Sequence, residues 1–179
     1  MPHQNPTASA LLLDHLELFN RLPDGPVLDL ACGSGRNGLR VAAAGHSVWF
    51  VDRDRDALAR VEQQALAQGS SAVIWQQNLE DGHNPFAERR FAAILGFHYL
   101  HRPLLPWLAQ AILPGGLIVY ETFTQAHPQH FGRPSNPNFL LQPNELAAAF
   151  ASWEQIHYRE GIHPAPQRCS AQLVARKPK

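Results

Sequence analysis

At 179 residues the chain has the length of one ordinary domain, and with 45% hydrophobic residues it can bury about 70% of its unfolded surface without a disulfide or a metal. Lysine plus arginine and aspartate plus glutamate number 15 each, so the formal charge is zero and the basic excess of a dedicated binder of long nucleic acids is missing. No run approaches the ~20 apolar residues of a membrane span. Met1 to Asn20 lacks a basic stretch followed by a long apolar core, and Cys32 and Cys169 have no metal-binding or redox spacing, so the expectation is a cytoplasmic protein.

In chain order, Pro6 to Asn20 predicts a helix with Leu11, Leu12, His15, Leu16 and Phe19 on one side and Thr7 or Ser9 as its cap. After a Pro-Asp-Gly-Pro turn, Val27–Ala31 reads as a strand buried on both faces. Cys32-Gly33-Ser34-Gly35 is a glycine turn, and Arg36–Ala44 a helix stopped by Gly45. His46–Val51 is a second strand closing at Asp52; Asp54–Gln68 is a helix striped by Leu58, Val61 and Ala65. Ala72–Gln76 and Phe91–Gly96 are further strands, Pro103–Ile112 a helix, and Pro114-Gly115-Gly116 turns into a strand at Leu117–Tyr120. Thr124–Pro143 is expected to be a long loop, followed by a short helix at 144–150 and an antiparallel pair, Trp153–Arg159 with Ser170–Arg176. The organisation predicted is one domain: residues 1–25 a helix and turn, 26–122 a binding core, 123–179 a loop, short helix and final strand pair.

Alternating strands and helices of this kind build an open, mostly parallel α/β sheet, and such sheets bind ligands beyond the carboxyl ends of their strands. The segments to inspect are therefore 31–36, 52–53, 78–80, 96–102 and 121–124. Gly33-x-Gly35-x-x-Gly38 satisfies the dinucleotide pattern, which taken alone is a weak signal. Two acids sharpen it. Asp29 stands four residues before Gly33, where a carboxylate would repel a pyrophosphate but would welcome an ammonium or sulfonium. Asp52 ends the second strand, where an acidic side chain accepts hydrogen bonds from ribose hydroxyls.

The run VLDLACGSGRNGLRVAAAGHSVWFVDRD resembles motif I and the second strand of class I S-adenosylmethionine-dependent methyltransferases, and is similar to the branch of the tellurite-resistance methyltransferases. Pro114-Gly115-Gly116 fits the same family, and GRPSNPNFLLQPNEL (132–146) resembles a segment of a bacterial subgroup. The resemblance implies a Rossmann-like fold: a mostly parallel seven-stranded sheet with an antiparallel C-terminal strand and helices on both faces. It implies S-adenosyl-L-methionine as cofactor. Ala31, Gly33 and Gly35 would line the methionine end through their backbone, with Asp29 facing its ammonium; Asp52 would hold the ribose, and Arg53, Asn78 and Leu79 would meet the adenine. Many relatives have Asp where Asn78 stands. Gly96 and Phe97 would close the far side of the methionine.

Because a sulfonium is already activated, such chemistry is largely positioning and exclusion of water. The acceptor-side candidates are His98 and His101 as bases, Tyr99 to orient the acceptor and Arg102 to bind an anionic one. Glu121, Thr122 and Thr124 could touch the acceptor, and Arg133, Asn136 and Asn138 could form a lid. No histidine has metal-ligand spacing, and the others, His3 included, are expected to be solvated or structural. The acceptor expected is a small molecule or small oxyanion. An RNA or protein methyltransferase, an NAD-dependent oxidoreductase and a non-catalytic cofactor-binding module remain the alternatives; Asp29 and the lack of a Tyr-x-x-x-Lys pair argue against the oxidoreductase.

Overall fold

The computed structural model describes residues 7–164 and 166–179. Five parallel strands, β1 (Val27–Leu30), β2 (Val48–Asp52), β3 (Ala72–Gln76), β4 (Phe91–Phe97) and β5 (Ile112–Phe123), are completed by a hairpin of β6 (Glu154–Pro164) and β7 (Gln167–Arg176). The seven-stranded sheet has the order β3-β2-β1-β4-β5-β7-β6, with β7 antiparallel to both neighbours. The expected Rossmann-like architecture, a mostly parallel seven-stranded sheet with an antiparallel C-terminal strand and helices on both faces, is the one found. Strand order reverses between β1 and β4, and that switch point opens the crevice in which such sheets bind ligands.

Residues alternate across β1: Val27 packs on one face and Leu28 and Leu30 on the other. The first face carries α1 (Ala10–Leu13), α2 (Arg36–Ala42) and α3 (Arg55–Ala67), through Leu11, Leu39, Val61 and Ala65. The second carries α4 (Leu104–Ala111), through Leu104 and Leu108; of the short helices α5 (His127–Phe131) and α6 (Glu145–Ala149), the latter joins it through Leu146. Each fully buried Leu or Val contributes roughly 1.5–3 kcal/mol, so both layers hold the strand ends in place.

Five expectations are corrected. The helix expected over 6–20 breaks at His15, whose ring Nδ1 bonds the Leu11 carbonyl at 2.8 Å, and continues as a 3-10 stretch at Leu16–Arg21; Pro6 and His3 lie outside the described residues. Ser9 precedes α1 without capping it, because its hydroxyl donates to Glu121 Oε2 at 3.2 Å. β5 begins at Ile112, not Leu117: Pro114-Gly115-Gly116 lies inside the strand as a bulge opposite Phe91 and Ala93. β5 also runs on to Phe123, so Glu121 and Thr122 are sheet residues paired with Gln172 and Ala171. The loop expected at 124–143 holds α5, a 3-10 turn at Pro137–Phe139 and a bridge between Thr124 and Leu141.

Candidate active site

The turn after β1 is left-handed at Ala31 (φ 48°), Gly33 (φ 52°) and Gly35 (φ 68°), which swings the chain across the ends of β1 and β2 into α2. Its three glycines do different work. A Cβ on Gly35 would lie 2.6 Å from Val61 Cγ2, and one on Gly38 2.4 Å from Phe50 Cε1, so both are forced by helix-to-sheet packing. A Cβ on Gly33 would meet nothing within 4 Å: Gly33 alone faces open space.

Two carboxylates tie this turn down. Asp29, 3% exposed, accepts from the Gly38 N–H through Oδ2 at 2.8 Å. Burial pushes its carboxyl up to about 7, against the opposing pull of that hydrogen bond and of Arg36. Asp52 accepts from the Gly33 N–H through Oδ2 at 2.8 Å and from the Asp54 N–H through Oδ1 at 2.9 Å.

Two cavities meet here. The smaller, about 290 Å³, is lined by Asp29, Ala31, Cys32, Gly33, Asn37, Phe97 and His98. The larger, about 440 Å³, has Asp52, Arg53, Asn78 and Leu79 on one side and Tyr99, Leu100, Phe123, Pro134 and Phe139 on the other. Ala31 and His98 belong to both walls. Thus Asp29, Ala31, Gly33, Asp52, Arg53, Asn78, Leu79, Phe97, His98 and Tyr99 are gathered at the carboxyl ends of β1, β2, β3 and β4, from positions spread over 71 residues (Asp29 to Tyr99) of the chain.

Other expected residues are placed elsewhere. Gly35 turns its missing side chain to Val61 and lines neither cavity. Gly96 makes room for the Tyr120 ring, which a Cβ would approach to 2.3 Å, and also lies outside both walls. Tyr120 then donates its hydroxyl to the Tyr99 carbonyl at 2.7 Å, so Gly96 acts through Tyr120 to fix the 98–100 turn. Arg102 is not free for an anionic acceptor: its guanidinium meets Glu145 Oε1 at 2.6 Å and donates to the Asn138 and Leu140 carbonyls. His101 is half-buried beside α4 and outside both cavities. Asn136 caps its own 3-10 turn by accepting from the Asn138 N–H, and it is Pro134 and Phe139 of that loop that wall the larger cavity.

His98 is held unlike a base. Its backbone is left-handed (φ 57°), its ring stacks on Phe123 with centroids 5.1 Å apart, and Nε2 lies 2.6 Å from Arg168 Nη1. The ring is open to the cavities on one side but enclosed by protein atoms on the other; that partial desolvation, and then the Arg168 charge, hold the imidazole down at about 4. The Tyr99 hydroxyl is buried with no aligned partner among the described residues, and burial and the neighbouring Glu80 carboxylate raise it above the ordinary phenol range. His127, fully buried, accepts from the Cys169 N–H at Nδ1, so its Nε2–H donates to the Arg133 carbonyl and pins the loop before Pro134 onto β7.

Leu100 and Phe123 fall within the segments 96–102 and 121–124 marked from the sequence, though with no role given to either; Pro134, Phe139 and Arg168 were missed. Nothing in the sequence pattern marks Arg168, because its place depends on the β6–β7 register.

An open α/β sheet with a glycine turn, two turn-binding carboxylates and cavities at its switch point defines a nucleoside-ligand domain of the Rossmann-like type. Residues 27–116 match the family described as a methyltransferase domain, and the chain belongs to that family, the class I S-adenosylmethionine-dependent methyltransferases whose motif it carries. It is 26% identical over 101 residues to the uncharacterized methyltransferase YodH of Bacillus subtilis, covering 54% of this chain and 42% of that protein. The chain spans less than half the length of the curated relatives it matches. Among solved structures it is similar to TehB from Haemophilus influenzae (TM-score 0.72, 20% identity, 92% of this chain and 61% of that one). It is also similar to magnesium protoporphyrin IX methyltransferase from Synechocystis PCC 6803 with bound SAH (TM-score 0.66, 16% identity, 94% and 79%). No helix among the described residues is long and apolar enough to cross a membrane.

Proposed function

We propose that this protein transfers the methyl group of S-adenosyl-L-methionine to a small-molecule acceptor. The observation that carries the reading is the junction of Asp52 with Gly33: the acid that would accept from ribose hydroxyls grips the one glycine of the motif that faces open space. The residues present fit the cofactor. Asp29 offers a buried carboxyl to an ammonium, and Asn78 and Leu79 offer an amide and an apolar wall to an adenine. When bound, S-adenosylmethionine supplies a methyl group already activated by positively charged sulfur.

What the chain itself contributes is position and dryness. Tyr99, Leu100, Phe123, Pro134 and Phe139 give one side of the larger cavity an apolar wall, against which a bound acceptor would lose water and its polar contacts would strengthen. The cavity, about 440 Å³, is shared between the adenosine end at Asp52, Asn78 and Leu79 and this acceptor side, so the space left suits a small acceptor. The balanced charge, 15 basic against 15 acidic residues, favours a small acceptor over RNA. The free thiols Cys32 and Cys169 suit a reducing, cytoplasmic setting.

Calorimetric titration with S-adenosylmethionine, S-adenosylhomocysteine and NAD tests this. Both adenosyl ligands should bind and NAD should not. Asp52→Ala should weaken binding roughly 10- to 100-fold, the loss of charge-assisted hydrogen bonds. Binding of NAD alone would overturn the proposal.

A further inference from the structure

Among the described residues His98 is the one imidazole at the shared wall of the two cavities, and what surrounds it decides what it can do. Arg168 reaches it from β7. The Arg168 side chain is itself only 12% exposed, and its Nε lies 3.0 Å from Glu121 Oε1, an ion pair whose N–H is not aligned for a hydrogen bond. Glu121 is fully buried and also accepts from the hydroxyls of Ser9 and Ser170 and from the Gln172 amide. A buried carboxylate with four neighbours donating to it or paired with it is fixed, and so in turn is the guanidinium. An arginine can only donate; at 2.6 Å from Nη1, His98 Nε2 must therefore be an acceptor, and the ring proton must sit on Nδ1. The stack on Phe123 holds the ring plane.

We propose, building on the methyl-transfer reading, that Arg168 is a positioning residue: anchored on Glu121, it locks His98 as the neutral Nδ1–H tautomer, so that His98 meets the acceptor as a hydrogen-bond donor and not as a base. The charged groups around the ring are Arg168 on β7, Glu121 on β5 and Arg36 on α2; the two arginines oppose protonation and Glu121 favours it less strongly than burial resists it. The consequence is a substrate class. The acceptor brings a lone pair that is already free, on an ionised or unprotonated heteroatom. Its bond to the methyl carbon forms as the carbon–sulfur bond breaks, the electron pair stays on sulfur, and no proton passes to His98.

The test is a nitrogen-15 NMR titration of the imidazoles in the full chain, with His98 assigned by its disappearance in His98→Gln. In the wild-type protein His98 should show the Nδ1–H tautomer at neutral pH and titrate well below the usual histidine range. Arg168→Gln should raise that titration by about one unit or more and release the tautomer, as expected for removing a cation within hydrogen-bond distance. Arg168→Lys should restore the low titration only in part, since an ammonium keeps the charge but not the planar fork, and it serves as a second variant should Arg168→Gln fail to fold. A wild-type His98 that titrates normally, or an Arg168 variant that leaves it unmoved, overturns the proposal. S-adenosylhomocysteine binding, measured in parallel, judges the methyl-transfer reading separately: its absence would sink that reading and leave the Arg168–His98 result standing.

Discussion

The two glycines at 33 and 35 are adjacent members of one motif, and the geometry assigns them separable jobs. Gly35→Ala adds a Cβ 2.6 and 3.1 Å from the two methyls of Val61, which is fully buried, at a left-handed backbone position. The left-handed conformation costs an alanine about 1–2 kcal/mol, and overpacking of a closed core costs about 1–3 kcal/mol. The sum is about 2–5 kcal/mol, much of the stability of a domain this size. Gly33→Ala carries the same backbone cost of about 1–2 kcal/mol but no clash, because its Cβ meets nothing within 4 Å. Its methyl instead projects into the space a ligand would fill. Urea unfolding and S-adenosylhomocysteine calorimetry on both variants check this. Gly33→Ala should lose at least about tenfold in affinity with modest loss of stability, and Gly35→Ala the reverse. The double variant Gly35→Ala/Val61→Ala should show a coupling of about 1 kcal/mol or more, since one change removes the atoms the other strikes. Equal stability of the two single variants, or wild-type affinity in Gly33→Ala, would refute the assignment.

Two further outcomes follow from the site. Burial holds the Asp29 carboxyl at about 7, so below that pH the free protein keeps its proton, whereas a cationic ligand group favours the ionised form. Affinity for S-adenosylhomocysteine should therefore fall about tenfold per pH unit below 7, with proton release on binding seen by calorimetry in two buffers, and Asp29→Asn should bind weakly with a flat profile; a flat wild-type profile contradicts this. Arg102→Ala should cost about 1–2 kcal/mol, discounted because its side chain is 36% exposed, and should speed amide hydrogen exchange across 136–146 without changing cofactor affinity. Unchanged exchange there would remove the strut role assigned to Arg102.

The sequence by itself determined much. Seven short apolar or alternating runs, punctuated by Gly and Pro, place the strands in chain order, and Gly33, Asp29 and Asp52 mark where the crevice lies, because backbone freedom and carboxylate chemistry are local properties. The family followed from the same stretch. What the tertiary structure decided are the pairings between distant residues. The residue type of Arg102 suits an anion, but Glu145, 43 residues away, occupies its guanidinium. The residue type of His98 suits a base, but Arg168, 70 residues away, lies on its Nε2. Gly35 and Gly96 stand at motif positions that suit a ligand, but the absence of a side chain at each is used by Val61 and Tyr120. The length of β5 depends on its bulge and on β7, so Glu121 and Phe123 could be placed only once the hairpin was in register. A residue type states which interactions are available; which of them is used depends on the partner that packing brings within 3 Å, and periodicity in the sequence carries no record of that partner.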